Sequence, residues 1–172
     1  MKTMDEMIKA DDQAICDNID DLTFKSRDKV AQNMLSYFRN LVEHIAIKIY
    51  LDAYPNTTVQ RSTTGEAIEH LKTSNEFYFL RQFHGFLQDS RSHYTPDNDG
   101  AERLVLKYYE YLLQIKIFMQ ARYNMEILHN LEEFPIDLDR TLQEYYEKIV
   151  EKLEVPRYAG DYEKRSEKFY VQ

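Results

Sequence analysis

Residues 30–51, VAQNMLSYFRNLVEHIAIKIYL, decide the fold. Val30, Met34, Tyr37/Phe38, Leu41, Ile45 and Ile49 recur every three to four positions, the spacing of one buried face on an α-helix. The stretch holds neither Gly nor Pro, Ser26 offers an N-cap just upstream, and Tyr54-Pro55-Asn56-Thr57-Thr58 ends it with turn chemistry. A helix this apolar on one side needs partners along its whole length, and the remaining sequence offers helices rather than strands.

Upstream, residues 3–20 read as an acidic, weakly apolar helix carrying Met4, Met7, Ile8, Ile15 and Ile19. Downstream, Thr63 and Glu66 form a capping-box pattern before a short helix to about Lys72. Ser74 is placed to cap an aromatic-rich helix from Phe77 to Asp89, and residues 90–100 form a polar loop. The segment 101–123 is apolar on two sides, which suits a central bundle helix: Leu104, Tyr108, Tyr111, Leu112, Ile115 and Phe118/Met119 on one, Val105, Tyr109, Leu113 and Ile117 on the other. A short helix is expected over 124–132 and another over 139–153, separated by Pro135. The expected fold is all-α, a single helical bundle over 1–155 with peripheral N- and C-terminal helices. Residues 156–172 are expected to form a tail or linker toward a following domain of a longer polypeptide. Leu41, Ile45, Leu80, Phe83, Leu104, Tyr108, Leu112 and Ile115 are its expected core.

Composition narrows function by exclusion. Four Gly and four Pro in 172 residues are too few for a turn-rich β-sandwich or barrel, and a single cysteine, Cys16, forbids an intramolecular disulfide. The N-terminus MKTMDEMIKADDQ has no apolar core of the signal-peptide kind, and no apolar run approaches a membrane span. A cytoplasmic location without membrane attachment is therefore expected, where the sequon at Asn56 has no meaning. A net charge of −8 opposes wholesale binding to duplex nucleic acid, which depends on Lys and Arg neutralising phosphates. There is no P-loop, dinucleotide fingerprint or HExxH, and Glu126…His129 is a single Glu-x-x-His pair where a bundle metal centre needs several. No cofactor and no metal are expected. Tyr108, Tyr109 and Tyr111, and Tyr145 with Tyr146, read either as core with polar tips or as stacking platforms for bases.

The polar interruption of the first long helix is Arg39-Asn40-Leu41-Val42-Glu43-His44. Arg, a polar residue and then His after four to six positions resembles the motif of the HEPN superfamily. These are small all-helical domains, many of them metal-independent ribonucleases of bacterial defence and toxin systems. The resemblance implies a homodimer whose two motifs face one cleft. It also implies attack of an RNA 2′-hydroxyl on the adjacent phosphate, with His44 moving protons, Arg39 stabilising the phosphorane and Asn40 orienting the backbone or the histidine. Arg122…His129 repeats the spacing without the Asn. Five residues along a helix turn about 500°, which puts Arg39 and His44 roughly 140° apart. The structural alternative is an Arg39–Glu43 surface pair with a half-buried His44.

The run from Asp28 to Phe118 resembles the same layout independently: a long helix, a linker, two shorter helices, a polar loop holding His93, and a long helix opening at Ala101-Glu102-Arg103. In that layout His93 stands where the motif histidine belongs. The arginine expected five to seven residues earlier is replaced by Phe86, Leu87 and Gln88. His93 then reads as a fourth site residue or as a loop histidine bonded to the turn at Ser92 or Asp97. The leading expectation is a HEPN-like module for association or nucleic-acid sensing within an antiphage-defence type of protein, with weak or no catalysis. An active endoribonuclease on Arg39, Asn40 and His44, and a helical adaptor unrelated to nucleic acid, are the alternatives. RNA or a nucleotide, a second copy of the chain, or other domains of a longer chain are the expected partners.

Overall fold

Thr3 starts the first helix with a reciprocal cap. Its hydroxyl accepts the Glu6 N–H at 3.1 Å, and the Glu6 carboxylate accepts the Thr3 N–H at 3.3 Å, so two donors that the helix cannot pair internally are both satisfied. The computed structural model describes residues 2–22, 31–92, 104–105 and 107–131. Within them lie α1 (Met4–Leu22), α2 (Ala31–Ala53), α3 (Thr63–His70) followed by a 3₁₀ turn (Leu71–Thr73), α4 (Asn75–Ser92) and α5 (Tyr109–Tyr123). No strand occurs among the described residues, and the fold is all-α. None of their helices is long and apolar enough to cross a membrane.

The direction of packing follows from the polar contacts between helices. Asp5 meets Lys48 at 2.6 Å and Asp11 meets His44 at 2.5 Å, so contacts advance along α1 while they retreat along α2: the pair is antiparallel. Phe77 with Phe118 and Phe83 with Tyr111 show the same for α4 and α5. Arg122, near the end of α5, lies between Asp52 at the end of α2 and Glu76 at the start of α4, while Glu43 meets His84, so α2 and α4 also run in opposite senses. The result is an up-down-up-down bundle, with α3 and its 3₁₀ turn bridging α2 to α4.

Each expected core residue, from Leu41 to Ile115, is fully buried. The stripe of α2 lies at the centre of the core, and Leu35, Val42 and Ala46 widen it because α2 packs against α1, α3 and α4 together. Phe38, Phe83 and Tyr108 meet with ring centroids 5.2–6.3 Å apart, and Phe83 stacks on Tyr111 at 5.0 Å with the planes 2° apart. Burying side chains of this size contributes about 1.5–3 kcal/mol each.

Three local expectations are corrected. Thr63 is the first residue of α3 rather than its cap, and its hydroxyl accepts the Gln60 N–H at 2.8 Å instead of serving the helix. Within the span expected as one long helix, α5 is described from Tyr109, and Tyr108 before it is distorted, with φ −107° and ψ 11°, although Tyr108 N–H to Leu104 C=O and Leu112 N–H to Tyr108 C=O carry the bonding across. No helix forms over 124–131: Asn124 takes a left-handed conformation (φ 52°) that ends α5, and Leu128 adopts φ 55°. Ser74 does cap α4, accepting the Glu76 N–H at 3.2 Å. The expected helix over 139–153 lies outside the described residues.

Candidate functional site

On α2 the polar residues at 39, 40, 43 and 44 interrupt an otherwise apolar helix, and each has a different environment. Arg39 is half-buried, and its Nε is buried without a hydrogen-bond partner among the described residues. Asn40 beside it is also half-buried. The surface pair of Arg39 with Glu43 does not form. Glu43 turns toward α4, where its carboxylate meets Nε2 of His84 at 2.9 Å, and the two side chains are 22% and 11% exposed. A carboxylate gains more from a half-buried imidazole than from a flexible guanidinium in water, because the lower local dielectric strengthens the bond and less side-chain entropy is lost.

His44 turns the other way, toward α1. Its Nδ1 lies 2.5 Å from Oδ2 of Asp11, with the side chains 26% and 11% exposed. A carboxylate is chiefly a hydrogen-bond acceptor, so Nδ1 is the natural donor of this pair and Nε2 is the outer ring nitrogen. No described residue engages Nε2. His44 is thus half-buried as expected, and its partner is one that motif spacing does not reveal. Asp11 was nevertheless legible: it sits between Ile8 and Ile15 on the buried stripe of α1, and a carboxylate in that position needs a partner from another helix.

Asp12, the next residue, secures the other flank of α1. Its Oδ1 accepts the Leu128 N–H at 2.6 Å and the Cys16 thiol at 3.3 Å, and the Asn130 side-chain amide donates to the Cys16 carbonyl at 2.7 Å. These bonds hold the left-handed Leu128 segment against α1. Burial first, then the Asp12 carboxylate, pushes the Cys16 thiol up to about 12, which makes it a poor nucleophile.

The other candidates separate. His93 lies outside the described residues, as do Tyr145 and Tyr146. At the positions where the layout expects an arginine, Leu87 is buried, Phe86 half-buried and Gln88 exposed. Tyr108, Tyr109 and Tyr111 are buried and belong to the core, which removes them as stacking platforms. Arg122 is committed to Glu76 at 3.0 Å and to the face of Phe77, while His129 and Glu126 are exposed. Among the described residues no three His, Cys, Asp or Glu side chains converge as metal ligands. An open groove of about 570 Å³ runs along α5 beside Lys116, Ile117, Gln120, Ala121 and Glu126, away from Arg39, Asn40 and His44 in its described lining.

What the site can do chemically is therefore limited and specific. His44 is oriented by a carboxylate and has one ring nitrogen available for proton transfer. Arg39 is a cation without a counter-charge among the described residues, directed to another side of the same helix. Compared with models of protein families, with curated proteins and with solved structures, the chain matches none.

Proposed function

We propose that this chain is a HEPN-like helical module that senses single-stranded RNA and catalyses its cleavage weakly. The observation that carries the reading is the division of the α2 stretch. His44, backed by Asp11 at 2.5 Å, supplies proton transfer, while Arg39, the cation needed beside a developing phosphorane, lies roughly 140° away around the helix. A single copy has an acid–base group without its electrophile, and a rate far below that of a complete site follows. The net charge of −8 limits contact to a short single strand at a local cation rather than to a duplex.

Titration of a labelled single-stranded RNA at falling salt tests the sensing role. The expected result is weak binding that strengthens as salt is lowered, with a shallow slope set by one or two cations and weakened by Arg39→Ala. Absence of binding at low salt opposes it and favours an adaptor unrelated to nucleic acid.

A second reading, an efficient metal-independent endoribonuclease, is favoured only by Nε2 of His44, which no described residue engages. It requires two copies to face each other, so that Arg39 of one completes His44 of the other. Light scattering that finds a strict monomer at high concentration rules this out and leaves the weakly catalytic module.

A further inference from the structure

We propose that Asp11 is the positioning residue of His44, fixing its imidazole as the Nδ1–H tautomer so that the Nε2 lone pair is the proton acceptor for an RNA 2′-hydroxyl. This rests on the RNA reading above and extends it to a residue on a different helix. Three observations converge on it. The Nδ1–Oδ2 separation is 2.5 Å, short enough for a charge-assisted bond. The Asp11 side chain is 11% exposed against 26% for His44, so the carboxylate is the fixed member and the imidazole the outer one. The backbone around it is held rigid: Asp12 is bound to the Leu128 N–H and Lys48 to Asp5, one turn along α2 and two turns back along α1. Lys48, one turn further along α2, is paired with Asp5 of α1. Among the described residues Asp11 is the one side chain bonded to the ring.

In the step so assigned, the 2′-oxygen loses its proton to Nε2 and bonds to phosphorus while the bond from phosphorus to the 5′-oxygen breaks. The products are a 2′,3′-cyclic phosphate and a 5′-hydroxyl, the leaving oxygen taking a proton from the imidazolium or from water. Charge on the imidazolium is balanced by the Asp11 carboxylate.

Two measurements on the full chain test this, and they fail separately. Side-chain ¹⁵N spectra of His44 read the tautomer without any reaction. The expected spectrum is Nδ1-protonated in the wild type at neutral pH and shifted toward Nε2–H in Asp11→Asn; an Nε2–H ring in the wild type, or an unchanged ring in Asp11→Asn, overturns the positioning role. Cleavage of single-stranded RNA in EDTA then reads proton transfer. Asp11→Asn is expected to lower kcat by about tenfold or more with KM nearly unchanged, as His44→Ala abolishes the reaction, while circular dichroism shows both variants folded. Cleavage that survives Asp11→Asn intact overturns the proposal and leaves the RNA reading standing. No cleavage by the wild type sinks the weak-catalysis half of that reading and this proposal with it.

Discussion

Glu43 and His44 are neighbours in sequence yet tie α2 to opposite sides of the bundle: Glu43 to His84 on α4 at 2.9 Å, His44 to Asp11 on α1 at 2.5 Å. Successive residues of a helix point about 100° apart, so a polar dipeptide in an apolar helix reaches two neighbours where a single polar residue reaches one. The same device recurs on α1, where Asp11 reaches α2 and Asp12 reaches the segment after α5.

The Asp11–His44 bond is expected to couple the two residues energetically. Asp11→Ala and His44→Ala should each destabilise the chain by about 1–3 kcal/mol, and the double variant by less than their sum, with a coupling of about 0.5–3 kcal/mol. Urea unfolding of the four proteins measures it. Additive losses mean that the two groups stand together without interacting.

Asp12→Ala removes the acceptor for the Leu128 N–H at a residue with φ 55°, a conformation that a branched side chain adopts only when its surroundings impose it. A loss of about 1–3 kcal/mol is expected, and Asp12→Asn, which keeps an acceptor oxygen, should recover most of it. Equal losses in the two variants assign the effect to charge rather than to the hydrogen bond.

Gln114 is 2% exposed, and neither its amide nitrogen nor its amide oxygen has a hydrogen-bond partner among the described residues. Replacing a buried, unsatisfied amide with an apolar side chain of similar size relieves a desolvation penalty, so Gln114→Leu or Gln114→Met is expected to raise stability by about 1–2 kcal/mol. A lower thermal midpoint in both variants contradicts this.

Alkaline pH should destabilise the fold through Cys16. The unfolded chain releases the thiol proton near 9.0 and the folded chain holds it to about 12. Above pH 9 the native state therefore binds more protons than the unfolded state, and stability falls as pH rises from about 9 toward 12. Burial and the Asp52 carboxylate raise the Tyr123 phenol in the same sense, so Cys16→Ala should flatten the alkaline slope in part. Chemical denaturation at pH 8, 9 and 10 measures it. In the wild type, iodoacetamide at pH 8 should label Cys16 only after unfolding, since the thiol is 1% exposed.

Helix period made the bundle legible. The stripes of residues 30–51 and 104–119 identify the core because burial and the 3.6-residue repeat are two views of one geometry. Helix caps were harder: the Thr63/Glu66 pattern matches the capping box in letters, while a box forms at Thr3 and Glu6, at a helix start that the sequence places near residue 3 without marking its cap. The helix expected over 124–132 does not form over its described residues, 124–131, because Asn124 and Leu128 adopt left-handed conformations, which Asn favours and which Leu accepts only under tertiary constraint from Asp12. At the site, spacing within one helix located His44 and gave its half-burial. It was silent about Asp11, since a partner 33 positions away belongs to tertiary packing and leaves only an indirect mark, a carboxylate on an apolar stripe.

The most direct test is cleavage of a single-stranded RNA oligonucleotide with EDTA present, wild type beside His44→Ala, followed across a range of protein concentrations. Slow formation of cyclic-phosphate ends by the wild type, absent from a folded His44→Ala, is the predicted result. Ends that never form, or that form equally with both proteins, would contradict a proton-transfer role for the histidine that Asp11 holds.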